Sequence, residues 1–140
     1  MIVLDTNIVS EAMRPRPNPS VITWLNRQAA DTLYLSSVSL AELLFGIGAL
    51  PEGKRRDRLN TALDQLLVLF SGRIIPFDAD AARHYAQMAV AARNVGRPLA
   101  MADGYIAATA AARGFTVATR NTVDFETTGV SLINPGTDQQ

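Results

Sequence analysis

The chain has 140 residues, 48 % of them apolar and 19 % charged, which suits one globular domain and is short for two independent cores. The absence of cysteine excludes disulfides, thiolate zinc sites and cysteine nucleophiles, and a single histidine, His84, excludes a multi-histidine metal centre. Basic and acidic residues balance at 13 each; were four acids gathered on one metal ion, 13 basic residues would face nine acidic ones, so a neutral total is compatible with a polyanionic ligand without predicting one. No run of eighteen apolar residues suggests a membrane span. Met1 leads straight into strand-like residues rather than a signal peptide, so a cytoplasmic address is expected.

Ile2 to Leu4 is too short for a helix and is apolar and β-branched, which reads as a strand buried on both faces that delivers Asp5 at its carboxyl end. A short helix is predicted over Asn7 to Met13, broken by Arg14-Pro15-Arg16-Pro17-Asn18-Pro19. Helical patterning resumes from Ser20 to Arg27, with Val21, Trp24 and Leu25 on one side. Leu33 to Leu35 is a second strand, Ser36 to Ser39 supplies caps, and a helix from Leu40 carries Glu42. After the Pro51-Glu52-Gly53 turn, Leu59, Leu63, Leu66, Leu67 and Phe70 mark a further helix whose Lys54, Arg55, Arg56 and Arg58 form a solvated face.

Ile74-Ile75 is a brief strand. Asp78 then caps an alanine-rich helix that runs to about Asn94 and stops at Gly96. Pro98 precedes a helix over Met101 to Arg113, whose Ala107, Ala108, Ala110, Ala111 and Ala112 are small enough for close packing on a sheet. Thr116 to Ala118 reads as a strand, Thr119 to Phe125 as a polar loop and Val130 to Ile133 as a last strand. The domain is expected over 1–134, with 135–140 as a frayed tail. Short apolar strands alternating with helices predict a three-layer α/β/α fold around a mostly parallel sheet, whose ligands bind beyond the carboxyl ends of the strands.

Each acid also has a structural role open to it. Asp5 is a good N-cap for the helix that follows it, worth about 1 kcal/mol. Ser39-Leu40-Ala41-Glu42 fits a capping box in which Glu42 reaches back to the Ser39 N–H. Asp103 suits the positive end of its helix, although its apolar setting leaves it free to face the sheet end. Asp124, in Asn-x-x-Asp, suits turn chemistry. His84 reads as a boundary residue and Trp24 as core. Ser36, Ser37 and Ser39 have only His84 as a conceivable base, which argues against a hydrolase triad.

The combination carries more than any one residue. Val3-Leu4-Asp5-Thr6-Asn7, Ser39-Leu40-Ala41-Glu42-Leu43, Asp103-Gly104-Tyr105-Ile106-Ala107-Ala108-Thr109-Ala110 and Thr119-Arg120-Asn121-x-x-Asp124-Phe125 resemble, in order and spacing, the PIN domain. More narrowly, the chain is similar to the VapC and FitB group of toxin ribonucleases from type II toxin–antitoxin systems. The resemblance spans essentially the whole length and implies acids collected around magnesium or manganese at the carboxyl end of a parallel sheet. Asp5, Glu42 and Asp103 match the main acidic positions. The fourth departs from the pattern: many relatives carry an acid near the place of Asn121, and here the nearest acid is Asp124.

Hard carboxylate oxygens suit these cations, and the cations in turn relieve the repulsion between clustered acids. The expected roles are Asp5 and Asp103 on the metal, Glu42 completing the shell or orienting the attacking water, and Asp124 or Asn121 at the fourth position. Thr6 and Asn7 would bind substrate or water, and Arg120 a phosphate. The resemblance also implies an RNA substrate and a small DNA-binding antitoxin laid over the acidic groove. It implies a homodimer too, because Leu43-Leu44-Phe45-Gly46-Ile47-Gly48 has more apolar surface than one helix face buries. Two alternatives stand beside this reading. One is a catalytically inert PIN-like scaffold for RNA or protein. The other is a haloacid dehalogenase-type phosphohydrolase, which needs a second acid where Asn7 stands.

Overall fold

The computed structural model of the protein describes residues 1–137. Its centre is a five-stranded, all-parallel sheet of β1 (Ile2–Leu4), β2 (Leu33–Ser36), β3 (Ile74–Ile75), β4 (Thr116–Ala118) and β5 (Leu132–Ile133), in the order β3-β2-β1-β4-β5. The predicted opening strand is the middle one: Val3 lies opposite Tyr34 on one side and Val117 on the other. From β1 the chain builds outward through β2 and β3, then crosses back to add β4 and β5 on the opposite flank. The strand order therefore reverses between β1 and β4, and a parallel sheet opens a ligand crevice at such a point. Asp5 stands there, its N–H donating to the Ala118 carbonyl at 2.8 Å.

The alternation of side chains along each strand divides the core in two. Leu4, Leu33, Leu35 and Ala118 face a layer made by α1 (Thr6–Ala12), α2 (Pro19–Arg27), α3 (Ser37–Gly48) and α4 (Lys54–Leu69), with Ile8, Val9, Val21, Trp24, Leu43, Ile47 and Leu63. Val3, Ile75 and Val117 face α5 (Ala79–Asn94) and α6 (Met101–Ala111), with Met88, Ile106, Ala107, Ala108 and Ala110. The expected three layers follow, and the alanines of α6 lie flat against the sheet as their size requires.

Three local expectations are corrected. Helix α3 begins at Ser37, not Leu40, because Ser36 is its cap: the Ser36 hydroxyl accepts from the Ser39 N–H at 3.0 Å. Ser39 and Glu42 consequently form no capping box. Thr119 to Phe125 is not all loop, since Thr122–Phe125 makes a helical turn, α7. Phe125, 1 % exposed, drives that turn by anchoring it in the α6-side core. The last strand is shorter than Val130 to Ile133. Residues 134–137 close a turn with Pro135 buried, and the rest of the expected tail, 138–140, lies outside the described residues. Among the described residues no helix is long and apolar enough to cross a membrane.

Candidate metal-binding active site

Asp5 leaves β1 in extended conformation and caps α1, one carboxylate oxygen accepting from the Thr6 N–H at 2.8 Å. The other oxygen accepts from the Thr119 hydroxyl, also at 2.8 Å, from the end of the neighbouring strand β4. The side chain thus caps the helix and lines the cleft at the strand end. At 5 % exposure its charge is costly: burial raises the carboxyl pKa from 3.8 to about 6, against the pull of the Thr119 and Thr6 hydrogen bonds and with a further push from Asp103 and Glu42.

Glu42 rises from the second turn of α3 and accepts a 2.6 Å hydrogen bond from the Thr6 hydroxyl. A carboxylate only accepts, so the single Thr6 proton points at Glu42. The Ser39 hydroxyl, 2.9 Å from Thr6 Oγ1, then completes the contact from the other side. Ser36 Oγ lies 3.3 Å behind Ser39, and both serines are fully buried. A chain of hydroxyls under the sheet edge therefore holds Glu42 in place.

Asp103 sits in the first turn of α6, half-buried, with its carboxyl pKa raised by burial first and by Asp124 and Glu42 after it. Its neighbour Gly104 explains how that turn comes so close to α5. A Cβ there would stand 2.7 Å from Tyr85 Cε1 and 3.0 Å from Leu99 Cδ2.

Asp5, Thr6, Asn7, Glu42, Asp103, Arg120 and Asn121 line one cleft of about 370 Å³ at the carboxyl edge of the sheet, together with Ser10, Glu11 and Arg14. Asp124 is exposed and does not line it. It belongs to an adjoining cleft of about 320 Å³ that shares Asp103 and includes Arg97. Asn121 thus occupies the main cleft, where its N–H donates to Thr119 Oγ1 at 3.0 Å, and Asp124 flanks it through Asp103. Among the described residues no three acidic or histidine side chains converge into a ready-made metal shell, and no lysine or arginine ion-pairs with Asp5, Glu42 or Asp103. Spaced hard-oxygen donors with an uncompensated charge fit a divalent cation that keeps much of its water.

Thr119, the two buried serines and Glu11 adjoin the candidate acids, although the sequence reading gave none of them a part in the site. For Glu11 a signal exists: Asn7, Ser10 and Glu11, with Arg14 just past the helix end, recur at helical spacing on the side opposite the buried Ile8 and Val9 of α1. Thr119 and the serines have no such signal, because their partners lie in other elements.

A parallel α/β sheet whose acids line a cleft at its central carboxyl edge suits a metal-assisted hydrolase, and the comparison of sequences resolves the family. The PIN domain family matches residues 2–130, and this chain belongs to that family. It is 48 % identical to the VapC ribonuclease Y4jK of Sinorhizobium fredii, over 96 % of this chain and 97 % of that one. It is 46 % identical to the toxin FitB of Neisseria gonorrhoeae, over 99 % and 100 % of the two chains. Its fold superposes on that of a chain in the structure of FitAB bound to an IR36 DNA fragment, with a TM-score of 0.94 and 43 % identity, over 100 % of this chain and 99 % of that one. Membership in this family removes the haloacid dehalogenase alternative, in keeping with Asn7 where that chemistry needs an acid.

Proposed function

We propose that the protein is a divalent-cation-dependent endoribonuclease, the toxin of a type II toxin–antitoxin pair, using magnesium or manganese. The observation that carries this is the gathering of Asp5, Glu42 and Asp103, from three separate elements, in one cleft with no basic residue neutralising them. The similarity to a VapC ribonuclease and to the toxin FitB supports the substrate class and the role.

Asp5 and Asp103 hold the cation, which when bound supplies Lewis acidity toward a water and a phosphoryl oxygen. Glu42, fixed by the Thr6 hydroxyl, orients the attacking water and takes up its proton. Asn121 bonds water or substrate at the fourth position, and Asp124 adds charge behind Asp103. Asn7 lines the floor between Thr119 and Arg120. We assign the nuclease unit to residues 1–134 and the site of action to the cytoplasm.

The partners are RNA and a cognate DNA-binding antitoxin, in line with the DNA-bound FitAB assembly. A homodimer is expected as well, since Leu44 and Phe45 on α3 and Val68 and Leu69 at the end of α4 are between 51 % and 77 % exposed. Incubation of the purified chain with RNA and magnesium or manganese tests the reading. Wild type cleaves and loses activity in EDTA, while Asp5→Asn and Asp103→Asn stay folded and inactive. Cation-independent RNA binding with no cleavage by wild type would establish the inert scaffold instead.

A further inference from the structure

The cleft has a second wall that the acids do not explain. Glu11, on α1, is a carboxylate with only 7 % of its side chain exposed. One of its oxygens accepts from Arg120 Nη1 at 2.5 Å and stands 3.6 Å from Arg14 Nη1; the other accepts from the Asn18 N–H at 3.1 Å. It is therefore fixed from three directions, by the loop after β4, by the bend that follows its own helix and by the N-cap of α2. A buried carboxylate is costly unless paired, so the geometry is rigid once the pairs form. The arginines it holds are not themselves buried: 38 % of the Arg120 side chain and 69 % of the Arg14 side chain remain exposed, and both line the same cleft as Asp5, Glu42 and Asp103.

Two guanidinium groups share one carboxylate, leaving a net positive charge on this wall against three carboxylates on the other. Arg120 directly follows Thr119, whose hydroxyl holds Asp5, so the two walls are tied together at one strand end. We propose that Arg14 and Arg120, anchored by Glu11, form a subsite for a backbone phosphate of RNA next to the one that is cut. Resting on the nuclease reading above, this makes Glu11 a positioning residue that sets the register of the strand over the acids. An arginine fork suits this task because it grips a phosphate through paired N–H donors while one edge stays fixed on the carboxylate.

The test uses full-length protein and a labelled single-stranded oligoribonucleotide. Binding is measured in magnesium with Asp5→Asn as the background, from 50 to 400 mM salt as roughly the range where phosphate contacts are read. Arg14→Ala and Arg120→Ala each weaken binding and flatten the dependence of log affinity on log salt by about 0.7, and together by about twice that. In the cleaving protein the same changes raise KM more than they lower kcat. Glu11→Gln keeps both arginines, and so keeps the salt slope, while KM rises because Arg120 is no longer oriented toward the phosphate; Glu11→Asp reverses part of it. A purely structural Glu11 would lower the folded fraction and leave KM and the slope of the folded protein alone.

Unchanged slopes in both arginine variants, with cleavage still dependent on Asp5, would overturn the subsite and leave the nuclease standing. A wild-type KM in Glu11→Gln, whatever its folded fraction, would overturn the positioning role. If wild type binds RNA without cutting it and the arginine variants still flatten the slope, the subsite stands and the nuclease reading falls. Should Glu11→Gln not fold, the two arginine variants decide the matter alone.

Discussion

Replacing Asp5 by asparagine separates what the residue costs the fold from what it gives the site. Asparagine has the same shape, caps a helix as well as aspartate does, and still accepts from the Thr6 N–H. What it removes is a buried charge, together with the oxygen that accepts from the Thr119 hydroxyl. The Asp5 carboxyl titrates at about 6 in the fold against 3.8 for the free side chain, a difference of roughly 3 kcal/mol by linkage. The sign follows from proton counts. Between about pH 4 and pH 6 the folded chain keeps a proton that the unfolded chain has released, so stability falls as pH rises through that window and the penalty is complete above it.

In EDTA, Asp5→Asn should therefore match wild type near pH 4 and exceed it by about 1 to 3 kcal/mol at pH 7.5. At about 3 °C per kcal/mol, that is a visible rise in melting temperature. Urea unfolding followed by the fluorescence of Trp24, which is 2 % exposed, gives the difference directly. Magnesium or manganese should stabilise wild type and erase the variant's advantage, because the cation offsets the charge that the variant lacks. A stability difference that does not change with pH, or a variant less stable than wild type at pH 7.5, would refute the assignment of Asp5 as an uncompensated buried carboxylate.

The same protonation sets a limit on activity: cleavage should fall as pH drops through about 6, where a proton competes with the cation for Asp5. Thr6→Val keeps the side chain's shape and removes the hydroxyl that holds Glu42, so activity should drop about 10-fold or more with little change in melting temperature. Gly104→Ala forces a methyl group to 2.7 Å from the Tyr85 ring, which itself packs on Tyr105. The expected loss is about 1 to 3 kcal/mol in urea unfolding, with a weaker apparent cation affinity as Asp103 shifts. Phe45→Glu, at a position 77 % exposed on α3, should convert a dimer to a monomer in light scattering without unfolding the chain.

Much of the local structure was legible because short-range patterns decide it. Ile74-Ile75 and Thr116 to Ala118 are strands with the expected bounds, and the alanine-rich helix does end at Asn94. Asp78 caps that helix through the Ala81 N–H at 3.0 Å. Errors arose where a distant contact overrode a local motif. Ser39 and Glu42 match a capping box, yet Ser36 takes the cap and a threonine from another helix takes the glutamate. The polar stretch after Thr119 lacks helical periodicity, and it turns helical because Phe125 finds a core to fill.

By itself the sequence determined the alternation of strands and helices and the buried character of β1, since each depends on residues within a few positions of one another, and it offered the acids as candidates through four motifs in order along the chain. Only the tertiary structure decided that β1 is the middle strand and that the order reverses beside it. That arrangement brings Thr119 to Asp5 across 114 positions and Arg120 to Glu11 across 109. It also decided that Asn121, rather than Asp124, shares the cleft with Asp5. Strand order is set by which apolar faces pack together over the whole chain. The polar groups that meet at the strand ends follow from that packing, and no local pattern in the sequence encodes them.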